Sequence, residues 1–551
     1  MGDCNNDYSG SPCFRRHYRL TRMEEAPWRT IPDLIEYSAT TFGSDQALVD
    51  GELRLSFIEL KDEIYKSANA LIETGLKPGD RIGIWAPNTS EWVIAALGVH
   101  VAGGVLVPIN TRFKGKEASY VITKANVSLL FTVTDFLEIN YVKLLEGTDA
   151  EKKLQEIIVL KGTAETKTTS FNDFLSRAND SRIQEVQERS QGVSGEDLCH
   201  IMFTSGTTGA PKGAMLKHSA VVRGYNDWAD IIGLQVRDRY LIVNPFFHSF
   251  GLNAGILACL MKGACILPHP IFDVQQVMER VPQDKITMLP GPPAIYQSIL
   301  NHPDLETFDM STLRLAVTGA AAIPVEMIIQ MRERLGFKKI VTGYGLTEGS
   351  GLATMCRYDD DPEIIAKTSG RAMPGMEIKI IDDNGKEIKR GQPGEITVKG
   401  YNIMVGYLDD PDQTSETITE NGWLLTGDIG VMDNDGNIAI TDRKKDMYIN
   451  GGFNVYPAEV ESIMLQHPQI GQVSVVGVPD ERMGEVGFAF IVPTSGETPK
   501  PDEIMEWCRQ EMANYKCPRE VALIDNLPLN ASGKVLKYEL RDRAEALKSK
   551  K

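Results

Sequence analysis

The stretch HIMFTSGTTGAPKGAM, residues 200–215, passes from a short apolar run directly into hydroxyl side chains, glycines and a single lysine. His200 to Phe203 reads as the end of a buried strand. Sequence rich in Ser, Thr and Gly after a strand frees the backbone to wrap an anion. Thr204, Ser205, Gly206, Thr207, Thr208 and Gly209 offer main-chain N–H groups and hydroxyls, and Lys212 adds one cation. The segment departs from the Walker A loop, which needs Gly just before its Lys and Ser or Thr just after; here Pro211 and Gly213 flank Lys212. A phosphate is the candidate guest, although a loop of this kind standing alone could be a plain flexible turn.

Outward from this loop the chain alternates between two textures. LSFIELKDEIYKSANALIETG, from Leu55, sets Leu60, Ile64, Ala68, Leu71 and Ile72 on one helical face, opened by Ser56 with Glu59 three later and closed by Gly75. RIGIWAPN, GGVLVPI, SLLFTV, HIMFTS, YLIVNP, ITMLPG, RLAVTG and KIVTGYG read as strands, separated by helical stretches such as IPVEMIIQMRERLG. Short β-branched runs between amphipathic helices imply an α/β fold of helix-covered parallel sheets, with ligands gathered at the carboxyl ends of strands.

After about Pro374 the texture becomes hairpin-like: EIKIIDDNGKEI, GEITVKG and VMDNDGNIAITD carry Asn-Gly and Asp-Gly turn signals. Beyond DRKKD, Pro457 with Glu459 and Glu461 opens a helix, and VSVVGVP and GFAFIVP read as strands. The expected organisation is an extension over 1–30, a large N-terminal domain over 31–442 with a β subdomain at about 374–442, a hinge at 443–447, and a small mobile α+β domain over 448–551.

The chain of 551 residues is too long for one ordinary core. Its formal net charge of -17 disfavours a nucleic-acid or anionic-membrane surface, so an anionic ligand must be met by local donors. Eight cysteines lie scattered without zinc spacing, and reduced thiols in a cytoplasmic protein are the expectation. The run from Trp92 to Val107 contains His100, Gly103 and Gly104 and divides into a helix and a strand, so no membrane span is expected.

TSGTTGAPKG, TGAAAIP, GYGLTE, WLLTGDIG, TDRKKDMYINGGFNVYPAEVE and NASGKVLK occur in an order that resembles the AMP-forming acyl-CoA synthetases of the adenylate-forming superfamily, over nearly the whole chain. The resemblance implies ATP, Mg²⁺ and coenzyme A as cofactor and co-substrates, a small carboxylic acid as partner, and room for a homodimer. It places Tyr344 against adenine, with Gly319, Ala320, Ala321, Thr342, Gly343, Gly345 and Thr347 around the nucleotide. Thr204 and Glu348 would hold the metal. Asp428 would grip the ribose hydroxyls and Arg443 would add a ribose or phosphate contact. Lys212, Thr204, Glu348 and above all Lys534 would be catalytic, Lys445 the hinge, and Gly451, Gly452 and Phe453 the passage for the pantetheine arm. His248, Ser249, Phe250, Gly251 and Asn253, with Gly291 and Tyr296, would line the acyl pocket, His248 as a gate rather than an acid or base.

NPFFHSFGLNAGILACL, LPGPPAIYQSIL and LRLAVTGAA are similar to segments of family members that activate a bicyclic, steroid-derived propanoate. A bulky alicyclic acid is therefore expected, with medium- or long-chain fatty acids as the alternative. Loading of a carrier protein is a further alternative, disfavoured because no carrier domain is attached.

Overall fold

The helix expected after Leu55 spans Phe57–Glu73. Ser56 and Glu59 close its start reciprocally: Glu59 N donates to Ser56 Oγ, and Ser56 N donates to the Glu59 carboxylate at 2.8 Å. Leu60, Ile64, Ala68, Leu71 and Ile72 are all buried. The adjoining helix, Ser90–Val101, is buried on all sides, and Gly98 permits its close approach, because a Cβ there would stand 2.6 Å from Ser67 Oγ. Gly103, at φ +80°, then turns the chain into the strand Val105–Pro108, which accounts for the division of the apolar run.

The computed structural model describes residues 26–204, 211–319, 323–443, 446–450, 453–480, 482–512, 514–529 and 535–548, with the backbone alone at 442–443 and 453–454. Among the described residues no helix is long and apolar enough to cross a membrane. Cys199, Cys259, Cys265, Cys356, Cys508 and Cys517 are buried free thiols, whereas Cys4 and Cys13 lie outside the described residues.

Two sheets build the large domain. In the first, the strands Val105–Pro108, Arg81–Trp85, Val127–Val133, Glu156–Lys161 and Thr169–Ser170 run parallel, and Leu198–Thr204 joins Val105–Pro108 in the same sense. Lys212–Lys217 then returns antiparallel to Leu198–Thr204, and Gly406–Tyr407 adds the edge. The second sheet has two four-stranded halves. One orders Arg239–Ile242, Cys265–Pro268, Gln46–Asp50 and Leu53–Ser56; the other orders Leu315–Gly319, Lys339–Tyr344, Thr354–Met355 and Arg371–Ala372.

ITMLPG, expected as a full strand, pairs irregularly. Met288 bridges Tyr240 on one half and Leu315 on the other, and Leu289 N and Gly291 N donate to the carbonyls of Leu315 at 3.2 Å and Val317 at 2.9 Å. Pro290 has no N–H to donate toward the Tyr240 side, so no regular ladder forms there. The other expected strands form, and one apolar cluster runs continuously through both sheets and their helices.

Met376–Ile381, Pro393–Gly400, Leu424–Met432 and Ile438–Arg443 make a four-stranded antiparallel sheet. Gly385 at φ +76° and Gly436 at φ +87° occupy the turns that the Asn-Gly and Asp-Gly pairs signalled. In the C-terminal part the long strands Ile470–Asp480 and Gly484–Pro493 pair antiparallel, with Glu520–Leu523 parallel at one side. Alternation sends Val475, Ala489 and Ile491 to one face with Val460, Met464 and Ile504, and Val476, Phe488 and Phe490 to the other with Leu540 and Ala544. Helices thus cover both faces of this small sheet. The large α/β part with its β sheet and the smaller α+β part agree with the expected fold class.

Candidate functional site

The site is assembled where strands of both large sheets end. Leu198–Thr204 and Lys212–Lys217 pair so that Thr204 stands opposite Lys212, clamping the two ends of the intervening loop together. Thr204 Oγ1 donates to the Lys212 carbonyl at 3.4 Å. Both side chains are half-buried. Lys212 Nζ donates to Gln413 Oε1 and lies 5.3 Å from the centre of the Tyr407 ring. Ser205, Gly206, Thr207, Thr208 and Gly209 lie outside the described residues, as do Ala320, Ala321, Lys445, Gly451, Gly452 and Lys534.

From the second sheet, Gly319 stands opposite Gly343. A Cβ on Gly319 would come within 2.8 Å of the Gly343 carbonyl oxygen, so glycine keeps these strand ends close. Gly345 is tighter, with 2.0 Å between a notional Cβ and the Gly351 carbonyl oxygen. The chain then makes a tight turn at Thr347–Gly349 that carries Glu348. Glu348 Oε1 accepts from the Tyr407 hydroxyl at 2.7 Å, and its main-chain carbonyl accepts from Met404 N at 2.8 Å. Burial, reinforced by the neighbouring Glu348 carboxylate, pushes the Tyr407 phenol's pKa up and keeps it a donor. Asn402, fully buried, braces the same turn by donating to the carbonyls of Gly349 at 2.9 Å and Leu352 at 2.7 Å.

Tyr344 ends its strand with the hydroxyl donating to Asp428 Oδ2 at 2.5 Å. Asp428 is supplied by Leu424–Met432 of the antiparallel sheet, and Arg443 is its register partner on the next strand. An aromatic ring, a carboxylate and the backbone of an arginine therefore meet, a combination suited to a base and a ribose. Phe453 opens the strand Phe453–Val455, and its side chain lies outside what the structure describes. Thr342 is a correction: its buried hydroxyl lies 3.0 Å from the Ile365 carbonyl and 3.1 Å from that of Thr368, so it braces the strand instead of facing a ligand.

The segment carrying His248, Ser249, Phe250 and Gly251 runs into a π-helical turn, Leu252–Leu257, an irregularity frequent at functional sites. It packs on the helix His218–Ile232. Ser249 and Asn253 lie beside the Tyr225 hydroxyl, which donates to the Ser350 carbonyl at 3.0 Å, two residues from Glu348. Asn253 also places Oδ1 3.1 Å from His200 Nε2. Phe250 meets Trp228 edge-on at 6.2 Å. His248 is exposed at the turn's start, where its Nδ1 accepts from Phe250 N at 3.2 Å. Gly251 admits no side chain, since a Cβ would lie 2.2 Å from the Pro245 carbonyl oxygen.

Gly291 donates through its N–H to the Val317 carbonyl at 2.9 Å, which holds it against the strand leading to Gly319. Tyr296 is a second correction. It is fully buried, its hydroxyl reaches the carbonyls of Leu289 at 2.9 Å and Val317 at 3.2 Å, and its ring packs on Phe337, so it braces the strand Leu315–Gly319. Sequence reasoning missed Tyr407, Gln413, Asn402, Tyr225 and Trp228. Only Tyr407 carried a signal, a Gly-Tyr pair just ahead of the helix-opening Asp-Pro.

Residues 35–408 match the model of the AMP-binding enzyme family, and residues 459–534 match the AMP-binding enzyme C-terminal domain. The chain is 45% identical over 524 residues to a 3-[(3aS,4S,7aS)-7a-methyl-1,5-dioxo-octahydro-1H-inden-4-yl]propanoyl:CoA ligase of Rhodococcus jostii, covering 94% of this chain and 99% of that one. It is 42% identical over 514 residues to the ligase of the same name from Mycobacterium tuberculosis, covering 93% and 99%. Among solved structures, an anthranilate CoA ligase in complex with anthranoyl-AMP superposes with a TM-score of 0.84 at 26% identity, covering 94% of this chain and 98% of that one.

Proposed function

Since this chain belongs to the AMP-binding enzyme family and is an AMP-forming acyl-CoA synthetase, we propose that its acid is a bulky alicyclic, steroid-derived propanoate. The observation that carries this reading is the likeness, over nearly the full length of both chains, to two ligases named for such an acid. Acid, ATP and CoA would give acyl-CoA, AMP and pyrophosphate by way of an acyl-AMP. A cytoplasmic location belongs to the same proposal, because ATP and CoA are drawn from that compartment.

A carboxylate is already a nucleophile at neutral pH, so the first step needs no general base. It needs neutralisation of charge while the acid approaches the α-phosphate and pyrophosphate leaves. In this proposal the loop 205–209 and Lys212 hold the phosphates, with Thr347 donating to a phosphate oxygen. Tyr344 lies against adenine, and Asp428 with Arg443 holds the ribose. Glu348 and Thr204 fit Mg²⁺ by their chemistry: both offer hard oxygen donors, and one carboxylate with one hydroxyl suits an ion that completes its shell with phosphates and water. That ion, when bound, would screen the charge gathering on the phosphates. Ser249, Phe250, Gly251 and Asn253, beside Tyr225, would face the acyl group. Lys534 would bridge the carboxylate and the phosphate. For thioester formation the C-terminal domain would turn about Lys445, withdraw Lys534 and bring Gly451, Gly452 and Phe453 to the pantetheine arm.

A panel of ring-bearing propanoates and straight-chain acids tests the substrate, with ATP and in the presence or absence of CoA. The ring-bearing acids are expected to show the higher kcat/KM, with acyl-AMP accumulating when CoA is omitted. Equal or faster turnover of palmitate would overturn the alicyclic assignment in favour of a fatty acid.

A further inference from the structure

The segment from Met404 to Gln413 ties together two groups that come from different sheets. Val405 N donates to the Met215 carbonyl at 2.9 Å and Leu408 N to that of Gly213 at 2.8 Å, so the strap is sewn onto the strand that begins with Lys212. Met404 N donates at 2.8 Å to the carbonyl of Glu348, on the turn that follows the second sheet. Tyr407 N donates to Thr414 Oγ1 at 2.9 Å, which fixes the residue from its other side. Its side chain, 8% exposed, then meets both partners at once: the hydroxyl is 2.7 Å from Glu348 Oε1, and the ring centre is 5.3 Å from Lys212 Nζ.

We propose that Tyr407 is a positioning residue for phosphate and metal binding, holding the Glu348 carboxylate at a set distance from Lys212. The inference rests on the reading of Glu348 as a magnesium ligand. A glutamate side chain on a short turn has three torsions to settle, and an anion beside phosphates is otherwise free to swing away from them. The phenol hydroxyl engages Oε1, which fixes the carboxylate plane and leaves Oε2 for a cation. The ring face meanwhile gives Lys212 an attractive seat that does not neutralise it, unlike a carboxylate partner. Opposite charges that must act on one triphosphate are thus kept apart by a neutral spacer that binds both.

Tyr407→Phe removes the hydroxyl and keeps the ring. Calorimetric titration of ATP at a series of free Mg²⁺ concentrations would be run on the parent protein, Tyr407→Phe, Glu348→Gln and the double variant, with adenylation rates measured alongside. The half-saturating Mg²⁺ concentration should rise about tenfold in Tyr407→Phe, the lower bound for losing a hydrogen bond to a charged group. Adenylation should recover at saturating Mg²⁺, and the double variant should be no worse than Glu348→Gln alone. The melting temperature should stay within about 2 °C of the parent, since one partly buried hydroxyl is lost without a cavity. A parent-like magnesium curve for Tyr407→Phe, beside a shifted curve for Glu348→Gln, would overturn the inference alone. The same would follow if the Tyr407→Phe shift persisted in full in the double variant. An unshifted Glu348→Gln would remove Glu348 from the metal site, and the inference with it.

Discussion

The Tyr344 hydroxyl donates to Asp428 Oδ2 at 2.5 Å, although the two residues belong to different sheets, one mixed and one antiparallel. This bond orients the carboxylate at the seam between the large α/β body and the β sheet that follows it. Asp428 is 7% exposed.

Asp428→Ala is therefore expected to raise the KM for ATP about ten- to a hundredfold, since hydrogen bonds to charged groups are each worth about 1.5–3 kcal/mol. Tyr344→Phe, which keeps the ring and loses only the orienting hydroxyl, should raise it less. ATP titrations at saturating acid and CoA decide the matter, and a parent-like KM in Asp428→Ala would take the carboxylate out of the ribose site.

Gly345→Ala should be damaging even though Gly345 is exposed. The added Cβ would stand 2.0 Å from the Gly351 carbonyl oxygen and 2.6 Å from Leu352 N, both backbone atoms that cannot rotate away. The turn bearing Glu348 must open to admit it, at about 1–3 kcal/mol of stability by analogy with overpacked cores, and with loss of adenylation. Gly192→Ala, where nothing lies within 4 Å, is the matched control and should be silent. Thermal melts and pyrophosphate release would show whether the two glycines differ in this way.

Much of this site was legible because its residues announce themselves locally. Thr204, Lys212, Gly319, Gly343 and Gly345 all lie in stretches that the motifs single out, while the strand that returns at Lys212 and the close backbone approaches at the glycines are seen only in the fold. What stayed hidden depends on which way a side chain points after packing. Thr342 and Tyr296 sit in the right stretches, yet neighbouring carbonyls take up their hydroxyls. Tyr407 is far in sequence from Glu348, and nothing local reports that the strap carrying it pairs with the strand that begins at Lys212. ITMLPG has the composition of a strand, but Pro290 lacks the N–H that would continue its pairing toward the Tyr240 side, and the segment joins the two halves irregularly.

Three buried histidines, of which His200 lies against Asn253, make a separate prediction. His100, His200 and His218 are buried, with ring centroids 5.0 Å apart for His100 and His200 and 5.5 Å for His100 and His218. Burial lowers all three: His200 to about 4, His218 to about 3, and His100 well below its ordinary value. His269 is also lowered by burial, to about 4. The unfolded chain binds protons at these residues near pH 6.5 while the folded chain refuses them, so their contribution to stability is full above that pH and lost as pH falls toward 4. Asp227, raised to about 6 by burial, acts oppositely between its unfolded value near 4 and pH 6, but it is one group against four. Urea unfolding should therefore weaken steeply from pH 6.5 to 5, by about 1.4 kcal/mol per pH unit for each histidine. His100→Leu should flatten that slope by one histidine's share, and an unchanged slope would show that His100 is protonated alike in both states.

The sharpest expectation concerns Lys534, because an enzyme that alternates between two arrangements needs this lysine in only one half-reaction. Its cation matters while the carboxylate and the α-phosphate, both negative, are driven together. Once the acyl-AMP exists, the attacking group is a thiol and the leaving group is AMP, and in the proposed arrangement Lys534 has been withdrawn. Removing one transition-state charge contact commonly lowers a rate by about two to three orders of magnitude. Lys534→Ala should therefore slow acyl-AMP formation from acid and ATP on that scale, while thioester formation from supplied acyl-AMP and CoA stays near the parent rate. Two single-turnover measurements on the same variant make the comparison internal, so a misfolded fraction would depress both alike. Comparable losses in the two half-reactions would mean that Lys534 does not act through alternation of the C-terminal domain.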